Sequence, residues 1–330
     1  MLTGLLLLGA IAVGSVVGIL SPSVAGPAGA LTDPLILTLV TLLLTALRGG
    51  GRSGLAALRR APGTVAIAWG FNFVLIPAVA YAVGSLVMIG EDELRVGVLL
   101  YCLFPCTDWF LAFTRLAHGD TRIGAALIPL NMATQLLLYP FYLHLLAGTR
   151  AGPVGLADWS NLVTWFAVPA SVALLLRLGT RAMAGRGAEA YLRDLADRVV
   201  PGVLALLVTC LFAANVTTIL DHPGPFGRVL VTVFGFLAAT YLLGEVITKR
   251  ARLSYPERAL VVMTTSARNA PLILGLTVVA LPHRPLVYAA IVLGMLVEFP
   301  HLTALQQLLR RSRKRVAAGP RPEDAVAVAS

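Results

Sequence analysis

The side chains best suited to chemistry lie together in one of the most apolar parts of the chain. The stretch LFPCTDWFLAF, residues 103–113, holds four consecutive residues that a buried helix usually avoids: Pro105, Cys106, Thr107 and Asp108. The proline removes a backbone donor and breaks a helix, whereas Thr107 and Asp108 are both residues with which a new half-helix begins. The sequence therefore predicts an interrupted helix with a thiol at the interruption.

Cys106 is the strongest candidate ligand in this stretch. A thiol beside a helix break faces the positive ends of half-helices, and this environment favours the thiolate. A thiolate binds soft electrophiles and soft metals. Because one thiolate holds such a solute loosely, Cys106 suits a site that must release its ligand as well as bind it. We interpret Cys102 and Cys210 as small core residues.

A second stretch, TTSARNAPLIL at residues 264–274, has the same character. Asn269 suits the N-cap of a half-helix, and Pro271 suits its first turn. Backbone groups that a break sets free cannot face lipid, so they must line a cavity or pack within the protein. We therefore predict a pair of breaks that meet in mid-membrane, in preference to two independent kinks.

Three charged side chains at membrane depth are functional candidates, because a charge near the bilayer centre is costly. They are Asp108, Arg268 and Glu298. Arg268 requires a partner, and the two carboxylates are the candidates. Asp108 is either a helix cap or a direct participant. Glu298 is either a structural counter-ion or a proton carrier, because a carboxylate in a medium of low dielectric constant binds protons more readily.

The composition indicates an integral membrane protein. Of the 330 residues, 58% are hydrophobic and only 13% are charged, whereas a soluble domain carries about 25% charged residues. A helix that crosses the bilayer needs roughly 20 apolar residues. Ten segments meet this requirement: 2–20, 34–48, 64–89, 95–117, 122–147, 159–177, 199–220, 227–248, 258–280 and 286–308. We expect the first to be a retained helix, since signal peptides have apolar regions of about 7–15 residues.

The net charge of +10 reflects topology. Alternate connections and the C-terminal tail hold 21 of the 26 Lys and Arg residues, and the other connections hold Arg95, Arg150, Arg228 and Arg284. Cytoplasmic loops carry an excess of Lys and Arg. The pattern therefore predicts a multi-pass protein of the plasma membrane with both termini in the cytoplasm, and it argues against a nucleic-acid partner.

One part of the chain repeats another, because residues 95–135 can be laid over residues 258–298 without a gap. In this alignment, which we call the repeat register, Gln135 falls on Glu298 and the first break falls on the second. The register advances the chain by five predicted helices, an odd number, so the second copy is inverted in the membrane. Inverted repeats with interrupted helices are typical of secondary transporters, whose substrate site lies near the midplane.

This repeat predicts an all-α fold of ten transmembrane helices in two halves. The first five-helix repeat covers residues 1–150, and the second, inverted repeat covers residues 151–315. The small residues and prolines of 316–330 predict a disordered cytoplasmic tail.

Four motifs carry a resemblance to a known family: PCTDWFLAFTRLAHGD, IPLNMATQLLLYPFYL, SARNAPLILGL and LGMLVEFPHL. They resemble the arsenical-resistance permeases, which export arsenite and belong to the bile acid/arsenite/riboflavin transporter superfamily. The resemblance implies a panel of helices 1, 2, 6 and 7 beside a core of helices 3–5 and 8–10. It also implies that the interrupted fourth and ninth helices cross in the core.

The resemblance also implies roles for individual residues. Cys106 matches an essential cysteine and Glu298 an essential glutamate. Our own hypothesis adds Thr107, Asn131 and Asn269 as substrate-binding residues. The substrate would be arsenite, with antimonite as a second candidate, expelled by an antiporter in exchange for protons. One departure is Pro105, where many members carry arginine.

The alternative from the same superfamily is a sodium-coupled, bile-acid-type symporter for a small organic anion. Where such symporters bind sodium, this chain has Thr264 and Arg268, and a fixed cation repels sodium. We therefore expect proton coupling. A scaffold or receptor with a degenerate transport core is a third reading.

We do not expect an enzyme, since the sequence has no glycine loop for phosphates. It also has no cluster with metal-ligand spacing, so neither a metal nor a cofactor is expected. Lipid, protons and a small solute are the expected partners, and the oligomeric state stays open.

Overall fold

The computed structural model describes residues 2–46, 51–107, 109–147, 156–220 and 223–318. Within these ranges the chain forms helices and short connections, and its β-structure is a single isolated bridge. Asp108 lies outside the described residues, so both readings of it remain predictions.

The described ranges contain thirteen α-helices: α1 Leu2–Leu20, α2 Ala25–Ala46, α3 Gly51–Arg60, α4 Pro62–Gly70, α5 Ile76–Val87, α6 Asp92–Leu103, α7 Trp109–Leu116, α8 Thr121–Ala147, α9 Leu156–Leu220, α10 Pro223–Arg250, α11 Tyr255–Ser266, α12 Ala270–Ala280 and α13 Pro285–Ala318. A 3-10 turn, Pro22–Val24, joins α1 to α2, and a π-helix, Phe71–Leu75, joins α4 to α5. Helix α13 continues to Ala318, past the start of the tail that we predicted from residue 316. Residues 319–330 lie outside the described ranges.

Each predicted membrane segment coincides with helical structure, but the helices are not always separate. Segments 159–177 and 199–220 both lie in α9, which is 65 residues long. Gly185 divides α9 with a φ of 81° and a ψ of −179°, a conformation that glycine alone adopts readily.

Six helical stretches of the described chain are long and apolar enough to cross a membrane: Pro22–Ala46, Pro62–Val87, Thr121–Leu145, Ala167–Thr217, Gly224–Arg250 and Pro285–Arg313. Five predicted segments account for the difference from ten, because three are not among the six and two share one stretch. The first is the shorter α1, the fourth and the ninth are each divided between two short helices, and 159–177 and 199–220 share one stretch. The chain is therefore an all-α, multi-pass membrane protein.

The helices pack as two groups. In the first, α1 and α2 pack along α9; in the second, α6 packs along α13 beside α10 and α11. Helix α12 contacts α2 and α9 as well as α13, so it joins the two groups. This is the arrangement that a panel and a core would have.

Glycines permit the closest helix contacts. A Cβ atom on Gly18 of α1 would lie 2.5 Å from the carbonyl oxygen of Ala213 in α9. Gly97 of α6 lies as closely against Val287 of α13. Small residues let backbones approach in membrane proteins, where dispersion contacts replace the hydrophobic effect between helices.

One end of the bundle is held by polar contacts between helix ends. The guanidinium of Arg258 donates to both carboxylate oxygens of Glu245, at 2.9 and 2.5 Å. The Tyr255 hydroxyl donates to the carbonyl oxygens of Ala117 and Leu309, at 2.8 and 3.0 Å. All five residues lie near helix ends that the charge pattern assigns to the cytoplasmic side.

Helix ends assigned to the other side also meet. Arg228 forms an ion pair with Glu91 at 2.5 Å, and Arg284 forms one with Glu93 at 2.6 Å. The helix ends therefore group as the predicted alternation requires.

Candidate functional site

Both predicted helix breaks are present. Helix α6 ends at Leu103 and α7 begins at Trp109, while α11 ends at Ser266 and α12 begins at Ala270. The residues that follow α6 and α11, Phe104 and Ala267, are in extended conformation.

The two breaks cross and pair with each other. Pro105 and Arg268 form an isolated antiparallel bridge. The Cys106 N–H donates to the Ala267 carbonyl oxygen, and the Asn269 N–H donates to the Phe104 carbonyl oxygen, both at 2.9 Å. These bonds satisfy backbone groups that could not face lipid. In the repeat register, Cys106 corresponds to Asn269 and Phe104 corresponds to Ala267. The two backbone hydrogen bonds therefore occupy equivalent positions of the repeat.

The predicted thiol lies inside the protein and not against lipid. Cys106 is 2% exposed and belongs to a buried cluster with Leu127, Met263 and Ala267. The Asn269 side-chain amide donates to the Thr107 hydroxyl at 3.4 Å. The structure thus brings three predicted ligands, Cys106, Thr107 and Asn269, to one crossing.

The predicted capping role of Asn269 needs a correction. Asn269 occupies the N-cap position of α12, and Pro271 lies in the first turn, but the Asn269 side chain makes no capping hydrogen bond. Its amide instead donates across the crossing to the Thr107 hydroxyl, because the first break lies opposite the beginning of α12.

Main-chain oxygens surround the guanidinium of Arg268. It donates to the carbonyl oxygens of Cys102, Thr264 and Thr265, at 3.0, 3.3 and 2.5 Å, and to the Asn72 Oδ1 at 3.4 Å. The three carbonyls lie in the last turns of α6 and α11, where helix dipoles place partial negative charge. Arg268 therefore neutralises the ends of two interrupted helices.

The expected ion pair between Arg268 and Glu298 is absent from the described side chains. The Glu298 Oε1 accepts a hydrogen bond from the backbone N–H of Arg268 at 2.9 Å, and the Glu298 Oε2 accepts one from the Tyr101 hydroxyl at 3.3 Å. The guanidinium is directed to the helix ends instead. Of the two predicted carboxylate partners, Glu298 therefore contacts the backbone of Arg268, and Asp108 lies outside the described residues.

Sequence reasoning gave no site role to Asn72 or Tyr101. Asn72 is buried within the π-helix, and such insertions are frequent at functional sites. A π-helix has no reliable pattern in sequence. Tyr101 lies in the last turn of α6, four residues before Pro105 in the break, so its spacing from the break was the available signal.

Two polar residues of α8 are buried with unpaired atoms. Among the described residues, the amide nitrogen and oxygen of Asn131 both lack a hydrogen-bond partner, as does the Gln135 Oε1. The Gln135 Nε2 donates to the sulfur of Met132 at 3.0 Å. Asn131, a predicted substrate ligand, therefore has free hydrogen-bonding capacity.

The site is closed to solvent in this conformation. The described site residues Cys106, Thr107, Arg268, Asn269 and Glu298 are each at most 3% exposed.

The profile of the sodium bile acid symporter family matches residues 36–220, more than half of the chain. The chain belongs to this family. The arsenical-resistance protein Acr3 of Corynebacterium glutamicum is 24% identical to it over 245 residues, which are 71% of this chain and 66% of that protein. The aligned part thus spans slightly less than two thirds of this relative.

Membership of the sodium bile acid symporter family confirms the resemblance of the motifs to this superfamily. The family consists of membrane transporters, which agrees with the apolar helices and with a non-enzymatic protein. The profile covers Cys106 and Asn131 and ends before Arg268 and Glu298, so only the first half of the crossing lies within the matched residues.

Proposed function

We propose that the protein is a secondary active transporter that exports arsenite across the plasma membrane in exchange for protons, with antimonite as a second substrate. The observation that carries this proposal is the buried thiol of Cys106 at the crossing of two interrupted helices. The similarity of the chain to an arsenical-resistance protein supports the choice of substrate.

The thiol supplies the selective bond. Trivalent arsenic is soft and binds sulfur in preference to oxygen. The Cys106 thiol displaces one hydroxyl of neutral arsenous acid, so that a sulfur–arsenic bond forms and one water leaves. The reverse reaction, in which water displaces the thiol, releases the solute. A single sulfur ligand keeps both directions accessible.

Hydrogen bonds hold the remaining hydroxyls. Thr107 and Asn269 lie beside Cys106 and bond to each other at 3.4 Å, a length that a solute can improve on. Asn131 adds a donor and an acceptor that are otherwise unpaired.

Glu298 carries the coupling proton. Its carboxylate accepts the backbone N–H of Arg268, and protonation weakens this charge-assisted bond. Proton binding therefore loosens the second break, and Arg268 transmits the change to both helix ends. Asp108 is either a second proton site or the cap of α7.

The proposed architecture has ten transmembrane helices in two inverted repeats, residues 1–150 and 151–315, with both termini in the cytoplasm. The repeat register supports it, because it also relates the two backbone bonds at the crossing. The closed site and the two groups of helices support alternating access, in which the core rocks against the panel.

Everted membrane vesicles provide the test. We expect arsenite to accumulate with a proton gradient and without sodium, and Cys106→Ser to lower the initial rate at least tenfold. Cys210→Ser, which alters a buried thiol away from the crossing, is the matched control and retains the parental rate. A parental rate in Cys106→Ser contradicts the thiol's role. A sodium requirement, or competition by an organic anion better than by antimonite, favours the bile-acid-type alternative.

A further inference from the structure

The two halves of the crossing differ in one hydrogen bond. In the second half, the Glu298 Oε1 accepts from the backbone N–H of Arg268 at 2.9 Å. The repeat register lays Pro105 over Arg268 and Gln135 over Glu298. Because proline has no backbone N–H, the first half cannot form the corresponding bond.

Gln135 is the residue that lacks this hydrogen bond. The residue is 1% exposed, yet its Oε1 has no hydrogen-bond partner in the part of the chain that the structure describes. Its Nε2 is already engaged with the Met132 sulfur. Buried polar atoms in native proteins are almost always hydrogen-bonded, and an exception calls for an explanation. Gln135 therefore presents a free acceptor, and one N–H of its amide is engaged with the Met132 sulfur.

The surrounding contacts place this acceptor beside the first break. One turn further along α8, the Tyr139 ring packs on Phe104 with 5.8 Å between ring centroids. Two turns before Gln135, Leu127 belongs to the buried cluster of Cys106. Residues four apart share one face of a helix, so Asn131 and Gln135 lie on the face between these two contacts.

We propose that Gln135, with Asn131, forms a binding site for the hydroxyl groups of a neutral solute, and that Pro105 keeps it open by withholding a backbone donor. The Gln135 Oε1 accepts a hydrogen bond from an O–H group and offers nothing to an anion that lacks one. This acceptor therefore favours solutes that carry O–H groups over ionised carboxylates, which have none. That the solute is arsenous acid rests on the proposed function. The geometry of the site does not depend on that function.

The test compares the parent, Gln135→Met, Pro105→Ala and the double variant. Gln135→Met removes the acceptor at nearly constant length. Pro105→Ala supplies the N–H that the second half already has, so Gln135 becomes occupied. Pro140→Ala, which adds an N–H elsewhere on α8, is the matched control. The measurements are arsenite KM and Vmax in everted vesicles and the melting temperature of the purified protein.

We expect each single variant to raise KM at least fivefold with Vmax within twofold of the parent. The double variant should show no larger KM than the more affected single variant, and Pro140→Ala should stay within twofold. We also expect non-additive melting temperatures. Pro105→Ala should change the melting temperature more favourably in the parent, which has Gln135, than in the Gln135→Met variant.

Parental KM values in both single variants, or effects that multiply in the double variant, overturn the proposal. If the parent moves no arsenite, the proposed function fails and the melting temperatures decide about the site. Additive changes in melting temperature then overturn the proposed site, because they show that Gln135 does not accept a hydrogen bond from the N–H that Pro105→Ala introduces.

Discussion

At the scale of single residues, Arg268 is the most constrained charge of the site. Its guanidinium donates to three carbonyl oxygens and to Asn72, and the Phe236 ring centroid lies 5.9 Å from its central carbon. A buried charge is tolerated only when it is well paired. Here the partners are the ends of two helices, so the side chain holds the crossing together.

We predict that Arg268→Lys abolishes export and lowers the melting temperature of the purified protein. A lysine ammonium is a point donor that cannot span four acceptors as a guanidinium fork does. Each buried acceptor left unpaired costs roughly 1–3 kcal/mol.

Millimolar guanidinium should partly restore the melting temperature of Arg268→Ala and should not affect Arg252→Ala, in which an exposed arginine is removed. If guanidinium does not change the melting temperature of Arg268→Ala, the three carbonyl oxygens and the Asn72 Oδ1 do not form a cation site.

We predict that Glu298→Gln separates binding from coupling. The glutamine oxygen can still accept the Arg268 N–H, so the break should keep its shape, but the residue no longer titrates. Arsenite counterflow without a proton gradient should stay within threefold of the parent, whereas uphill accumulation should be lost. Glu298→Leu, which also removes the acceptor, should lose both activities. Uphill accumulation in Glu298→Gln at the parental level would assign the proton to another group.

At the scale of elements, close packing of α6 on α13 sets the position of the crossing. A Cβ atom on Gly97 would lie 2.8 Å from the Ala290 Cβ and closer still to the Val287 carbonyl. The two helices carry Tyr101 and Glu298, which bond to each other. Separating the helices would therefore disturb the site without altering any of its side chains.

We predict that Gly97→Ala destabilises the protein by about 1–3 kcal/mol, the usual cost of overpacking, and slows arsenite export. Gly202→Ala is the control, since a Cβ atom there meets nothing within 4 Å and alanine favours the helix. Melting of the purified variants provides the measurement. Equal melting temperatures for the two variants would show that the contact between α6 and α13 is not tight.

The beginning of α11 gives a pH-dependent prediction. Ser254 donates to Glu257 at 2.6 Å and Thr64 donates to it at 2.7 Å, and these bonds hold the pKa of Glu257 below its ordinary value of 4.5. A lowered folded-state pKa stabilises the protein above the unfolded pKa, and this contribution disappears as pH falls through the folded value. Glu257→Gln should therefore lower the melting temperature at pH 7, with a difference that narrows below pH 4.5. A constant difference would exclude an ionic role.

At the scale of the whole molecule, the polar contacts at the two ends define two faces. Arg250 and Ile89 are exposed and lie near opposite ends. The native cysteines are buried, so a bulky maleimide should label only an introduced thiol. We predict that Arg250→Cys is labelled in everted vesicles and Ile89→Cys in right-side-out vesicles. The reverse pattern would place the termini outside the cytoplasm.

The sequence by itself determined that the protein is an all-helical membrane protein and where both interruptions lie. Hydropathy fixes which segments enter lipid, and Pro105 and Pro271 limit where a helix can run, so these features are local. The repeat also paired the first break with the second in sequence. The correspondence of Gln135 with Glu298 was visible for the same reason.

Only the tertiary structure decided which atoms meet at the crossing. Glu298 was a candidate partner of the Arg268 guanidinium, but it binds the Arg268 backbone, and the guanidinium binds the carbonyls of Thr264 and Thr265. Asn269 was expected to cap α12, but it bonds to Thr107. Both choices depend on free carbonyls and N–H groups, which nearly every residue type carries and no pattern of side chains reveals. They become available only where two broken helices cross.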